Sequence, residues 1–165
     1  MSGDDQIIWP DAFHPNHCPV FVSNEIDSPA KPAHVWAWLV RATFWPQWYP
    51  NSASVVITQG LPPDLTATSK FRWTTFGVRL DTEVEEFVPG ERIAWRARAF
   101  GVDAYHAWLL RPTSTGGCHI LTEETQKGFL ARAGNLLMPY RMSKFHQIWL
   151  EQLSAKAQTS LPPLC

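Results

Sequence analysis

Cysteine is scarce here, and the three present, Cys18, Cys118 and Cys165, form an odd set without metal-ligand spacing. Such a set fits a reducing compartment better than a disulfide framework. Long apolar runs are missing too; no stretch approaches the roughly 18 residues of a membrane-spanning helix. The first residues, with Asp4 and Asp5, are acidic where a secretion signal would be basic, so a cytoplasmic location is expected. Neither sign of charge dominates: 14 Lys and Arg against 15 Asp and Glu give a formal net charge of −1. That balance argues against a nucleic-acid partner, which calls for a basic patch or stripe. No phosphate-binding loop is present, since Gly116-Gly117 lacks the strand-to-helix setting. No serine or cysteine has the context of an activated nucleophile. Asp11, His14, His17 and Cys18 are metal-ligand types, but they lie among prolines without a matching second cluster. Neither a metal nor a cofactor is expected.

What is abundant is aromatic: nine Trp and nine Phe in 165 residues. Each buried ring removes about 150–250 Å² from water, enough for a full single-domain core. Residues 1–19, with three prolines, read as an irregular arm over the domain, and 20–26 as a first strand. Pro32 opens a short helix over 31–42, where Val35, Trp36, Leu39 and Val40 repeat at helical spacing. Residues 43–50 form a second short helix or turn, and 54–59 a β-branched strand. From Phe129 the pattern is helical to Leu153, with a break expected near Met138 because Pro139 removes a backbone donor. The tail, 158–165, is expected to be loose.

Residues 69–111 read as four strands joined by tight turns at Phe76-Gly77, Pro89-Gly90 and Gly101-Val102. Antiparallel pairing sets Arg72 against Asp81 and Asp81 against Arg98, with Lys70 facing Glu83 and Glu83 facing Arg96. The other face carries Phe71 beside Thr82, Ala97 and His106, with Trp95 between Val84 and Trp108. Cross-strand pairs contribute roughly 0.2–1 kcal/mol each, and a one-residue slip would invert both faces. A last strand over 118–127 completes about seven. A twisted antiparallel sheet with the long helix across its aromatic face follows, leaving the charge ladder to water.

Several stretches resemble the helix-grip fold of the START and polyketide-cyclase superfamily, SRPBCC. They are Asn24-Glu25-Ile26 with Pro32 and Val35-Trp36-Ala37-Trp38-Leu39, Trp45-Pro46-Gln47-Trp48-Tyr49-Pro50, Phe71-Arg72-Trp73, Glu86 to Trp95, His106-Ala107-Trp108, and Thr122-Glu123-Glu124 to Gly128. The resemblance covers residues 20–157 and implies an α+β fold in which the sheet wraps a long C-terminal helix, with two short helices between strands 1 and 2. It also implies a cavity for lipids, sterols, polyketides or hormones, and in some members a cyclase or dehydratase.

The expected ligand wall is Phe71, Trp73, Trp95, His106 and Trp108, with Met138 and Met142 from the helix. His106 is the main polar group, either a satisfied core histidine or a ligand contact. Two registers set it opposite Glu123 or Glu124. The second gives the more apolar inner face and matches the resemblance, so Glu124 is expected to point inward. A His106–Glu124 pair could act as acid and base in a cyclisation or dehydration. His146 reads as a surface or helix-packing residue. The main expectation is binding of a small hydrophobic molecule, aromatic, polyketide-like or lipid-like. The rivals are a cyclase or dehydratase, and a protein-contact module using the outer sheet or the Trp45–Tyr49 segment. A homodimer is compatible with each.

Overall fold

A computed structural model describes residues 6–163; the start of the expected arm and the last two tail residues lie outside it. The strands are β1 (Val20–Ser28), β2 (Ala53–Gln59), β3 (Lys70–Thr75), β4 (Val78–Val88), β5 (Arg92–Ala99), β6 (Val102–Pro112) and β7 (Cys118–Lys127). They form one antiparallel sheet in the order β1-β7-β6-β5-β4-β3-β2. Helix α1 (Pro32–Val40) and a 3-10 segment (Ala42–Gln47) separate β1 from β2, and α2 (Phe129–Leu137) and α3 (Arg141–Thr159) follow β7. This is the helix-grip arrangement. The chain leaves α2 at Met138 and re-enters a helix at Arg141, so Pro139 falls in the gap its missing donor requires.

The charge ladder has the expected register through β3, β4 and β5: Arg72 pairs Asp81, Lys70 pairs Glu83, Asp81 pairs Arg98 and Glu83 pairs Arg96. The β4–β5 loop is one residue longer than a two-residue turn, and a bulge between Val84 and Glu86 compensates. The β5–β6 register differs from expectation. The two-residue turn is Phe100-Gly101, so Trp95 pairs His106, not Trp108, and Ala97 pairs Ala104, not His106. Gly101 has φ +72°, which places the left-handed residue second in the turn. Moving a turn centre by one residue shifts pairing by two, which leaves both faces unchanged.

The inner face and α3 enclose one large core. Trp149 of α3 is its pivot: it stacks on Tyr49 (centroids 4.4 Å, 13°) and meets Trp45, Trp73, Trp95 and Trp108 at 5.0–6.3 Å. Such pairs contribute about 0.5–1.5 kcal/mol each beyond their burial. Trp45, Trp48 and Tyr49 are buried in it, so of the segment expected as a protein-contact site only Pro46 and Gln47 are exposed.

The outer face is only partly a solvated ladder. Across β5–β7 the arm covers it: Phe13 stacks on Tyr105 (5.6 Å, 28°) above Ala94 and Ala107, and Thr125 Oγ1 donates to the Phe13 carbonyl (2.9 Å). The tail is held where looseness was expected. Helix α3 runs to Thr159, Trp38 Nε1 donates to the Ser160 carbonyl (2.6 Å), and Arg41, paired with Asp64, donates to the Pro163 carbonyl (2.5 Å).

Candidate functional site

Between the open end of the sheet, α2 and α3 lies a cavity of about 200 Å³. Its sheet wall comes from alternate residues of neighbouring strands: Trp73, Leu80, Trp95, Ala97, Ala104 and His106. The facing alanines Ala97 and Ala104 provide the room; larger residues there would meet across the β5–β6 pair. Val20, Tyr49, Trp149 and Met142 add further wall, while Leu130, Gly134 and Met138 form the mouth. An engineered 150 Å³ apolar cavity binds benzene, so this one has room for one or two fused rings.

The inner polar end is a histidine–glutamate–histidine cluster. His106 pairs Glu124 across β6–β7, in the register that also sets Trp108 opposite Thr122 and Leu110 opposite Ile120. Glu123 points outward to Ser23. Glu124 Oε2 stands 3.3 Å from His106 Nδ1 and 3.1 Å from His146 Nε2, while Oε1 accepts from Gln126 Nε2 (2.5 Å). The two imidazoles are nearly parallel, 8° apart with centroids 4.7 Å apart. All three residues are buried.

The proton positions follow from the donors available. Burial pushes His106 down to about 3, with the Glu124 charge opposing that shift and His146 adding to it, so the ring is neutral at neutral pH. Burial alone would raise Glu124; the two imidazoles and Gln126 overcome it and bring the carboxyl down to about 2. An ionised Glu124 needs donors, so His146 carries its proton on Nε2 and His106 on Nδ1, toward the carboxylate. Thr122 Oγ1 then donates to His106 Nε2 (2.7 Å) in preference to the Ala107 carbonyl (3.3 Å). His106 is thereby engaged on both nitrogens. His146 Nδ1 is buried without a hydrogen-bond partner among the described residues, and so are the indole N–H donors of Trp95 and Trp149.

Of the expected wall residues, Trp73, Trp95, His106, Met138 and Met142 line the cavity, and Glu124 of the expected His106–Glu124 pair joins them. Phe71 and Trp108 do not. Phe71 is covered by Trp45 (5.8 Å) and Trp108 by Trp149 (5.0 Å), because the 3-10 segment and α3 fill that end of the sheet. The residue missed was His146. It lies four residues after Met142 and three before Trp149, a helical spacing that Phe145 shares nearly as well, and its polarity hid it. The arm residues Asp11 and His17 are exposed, and His17 Nδ1 bonds the Asp11 carbonyl (2.9 Å).

His106, Glu124 and His146 also place three metal-ligand atoms within 4.8 Å of one another. The parallel rings fit a metal poorly, since one ion in the plane of both would require a ring to turn. The geometry is that of a carboxylate held by hydrogen-bond donors.

A model of the family described as polyketide cyclase / dehydrase and lipid transport matches residues 19–158. The chain belongs to this family. Among solved structures, the hypothetical protein jhp0584 of Helicobacter pylori is 32% identical, with a TM-score of 0.87, covering 95% of this chain and 99% of that one. The Zhui aromatase/cyclase of Streptomyces sp. R1128 has the same fold at 12% identity and a TM-score of 0.70, covering 84% and 93%. Ara h 8.0201 shares it at 11% identity and a TM-score of 0.61, covering 86% and 99%. No curated protein matches the chain.

Proposed function

We propose that this family member binds a small, flat, apolar molecule bearing a hydroxyl or carbonyl oxygen. The observation carrying this reading is an apolar cavity, walled by tryptophans and alanines, that ends at a buried His–Glu–His cluster. Rings of Trp73 and Trp95 supply flat contact at roughly 25 cal/mol per Å² covered, a few kcal/mol for a bicyclic ligand. The lone pair on His146 Nδ1 accepts a proton-bearing ligand oxygen, and the unpartnered indole N–H groups suit an acceptor oxygen. Family membership agrees, as do the aromatase/cyclase structures that share the fold.

The test is a titration with a naphthol-type fluorescent probe, alongside native mass spectrometry of copurifying molecules. Ala104→Leu extends a side chain into the cavity at a cost of about 1–3 kcal/mol in stability. A folded Ala104→Leu protein should lose binding by an order of magnitude or more. Equal binding by variant and wild type would remove the cavity from consideration.

A second reading, proton-transfer catalysis of the cyclase or dehydratase kind, is favoured by one feature. His146 donates to a carboxylate from Nε2 and keeps Nδ1 for substrate, the arrangement of a carboxylate-oriented general base. His106, bonded on both nitrogens, then positions Glu124. Turnover that collapses in His146→Gln while probe binding survives would mark the enzyme; binding without turnover in the wild type would leave a carrier or receptor.

A further inference from the structure

The mouth of the cavity is ringed by apolar side chains that point away from the protein. Phe100 is 84% exposed at the β5–β6 turn, Leu136 and Leu137 are 82% and 77% exposed on α2, and Tyr140 is 83% exposed in the α2–α3 junction. Phe129 lies edge-on to Phe100 (5.5 Å), and the Leu130 amide donates to the Gly101 carbonyl, so the turn and α2 form one continuous rim. Val78, at the β3–β4 turn, extends it across the opening. Helix α2 is therefore apolar on two sides. Ala131 and Gly134 face the cavity, while Phe129, Ala133 and Leu136, at helical spacing, face solvent.

The charge around this rim has one sign. Between Thr125 and Leu150 the chain has no Asp or Glu; of its cations, Lys127 is turned to the arm, with Nζ 2.7 Å from the Ala12 carbonyl, and Arg132, Arg141 and Lys144 belong to the rim. Arg132, Arg141 and Lys144 are exposed beside the apolar stripe, and Arg79 adjoins Val78. Asp103, two residues beyond Gly101, is held by Arg96 (2.7 Å). An apolar stripe on α2 flanked by cations from α2, the start of α3 and the β3–β4 turn resembles the pattern of a segment lying in a bilayer interface. The rest of the surface has mixed charge, and the formal total is −1, so the basic rim is local.

We propose that the α2 face and the two neighbouring turns dock on an anionic lipid bilayer, which brings the cavity mouth to the membrane surface. Docking does not require an occupied cavity; the role it suggests, exchange of an apolar ligand with the bilayer, rests on the ligand-binding reading above. No helix of the described residues is long and apolar enough to cross a membrane, so the contact is peripheral.

The experiment is cosedimentation of the whole protein with phosphatidylcholine vesicles, with and without roughly one-third phosphatidylglycerol, at low and high salt. Binding should favour the anionic vesicles and weaken with salt. The double variant Leu136→Asp/Leu137→Asp changes two exposed side chains outside the cavity lining. Together with Arg132→Glu/Lys144→Glu, each double variant should weaken vesicle binding by roughly tenfold or more. Probe binding in solution should remain, which separates failure of docking from failure of the cavity. Absence of selective binding to anionic vesicles, or unchanged binding in both variants, would overturn the proposal. So would a concentration-dependent dimer abolished by Leu136→Asp/Leu137→Asp without vesicle binding, which would make the face a self-association surface.

Discussion

At the scale of single residues, the cluster around Glu124 is a buried carboxylate kept ionised by the imidazoles of His106 and His146 and the Gln126 amide. Its consequence for stability has a definite sign. Burial lowers His106 from 6.5 to about 3, so below pH 6.5 the unfolded chain takes up a proton that the folded one refuses. Stability should therefore fall with acid by about 1.4 kcal/mol per pH unit from that group. Glu124, lowered from 4.5 to about 2, adds a second such slope between those values. Urea titrations at stepwise pH should show His106→Gln flattening the segment between pH 6.5 and 4.5; an unchanged slope there would mean that His106 is already charged in the fold. His106 and Glu124 were legible in the sequence because a strand turns every second residue inward, and the apolar neighbours of each fix which. His146 was not legible, since helical spacing resolves direction only to within a residue and Phe145 is the more apolar choice.

At the scale of elements, α2 is seated by backbone more than by side chains. Gly128 has φ +110° between β7 and α2, and a Cβ there would lie 2.3 Å from the Gly101 carbonyl oxygen. Gly128→Ala should thus cost at least about 1–3 kcal/mol and displace α2 from the β5–β6 turn. Thermal melts would register the loss, and the probe titration would show weaker binding through a disturbed mouth; a melt within experimental error of wild type would refute the seating. The break at Pro139 was readable because proline acts locally. The shift of β6 against β5 was not, because both candidate turns contain Gly101 and both leave the same residues inside. Only the widths across the cavity distinguish them: the observed register faces Ala97 with Ala104 and so opens space that the alternative would have given to an imidazole.

At the scale of the whole molecule, the sheet is covered on both sides in its middle. Expectation left the outer face to water, because the ladder of Lys70, Arg72, Asp81 and Glu83 alternates cleanly; it does not reach Tyr105 and Ala107, which lie under the arm. Phe13 is the arm's anchor, with its ring also 4.0 Å from Lys127 Nζ. Phe13→Ala should destabilise the domain by about 3–5 kcal/mol. Chemical denaturation would measure it, and a loss under about 1 kcal/mol would show the arm to be an ornament. The strand β6 is the element most affected, with Tyr105 beneath the arm on one side and His106 beneath α3 on the other. Its amide protons should exchange with solvent only when the entire domain opens, on the slowest timescale the protein has, whereas those of α2 can exchange through small local openings. The polar end of the cavity would thus sit in the slowest-exchanging part of the chain, with the mouth left to open locally without disturbing it.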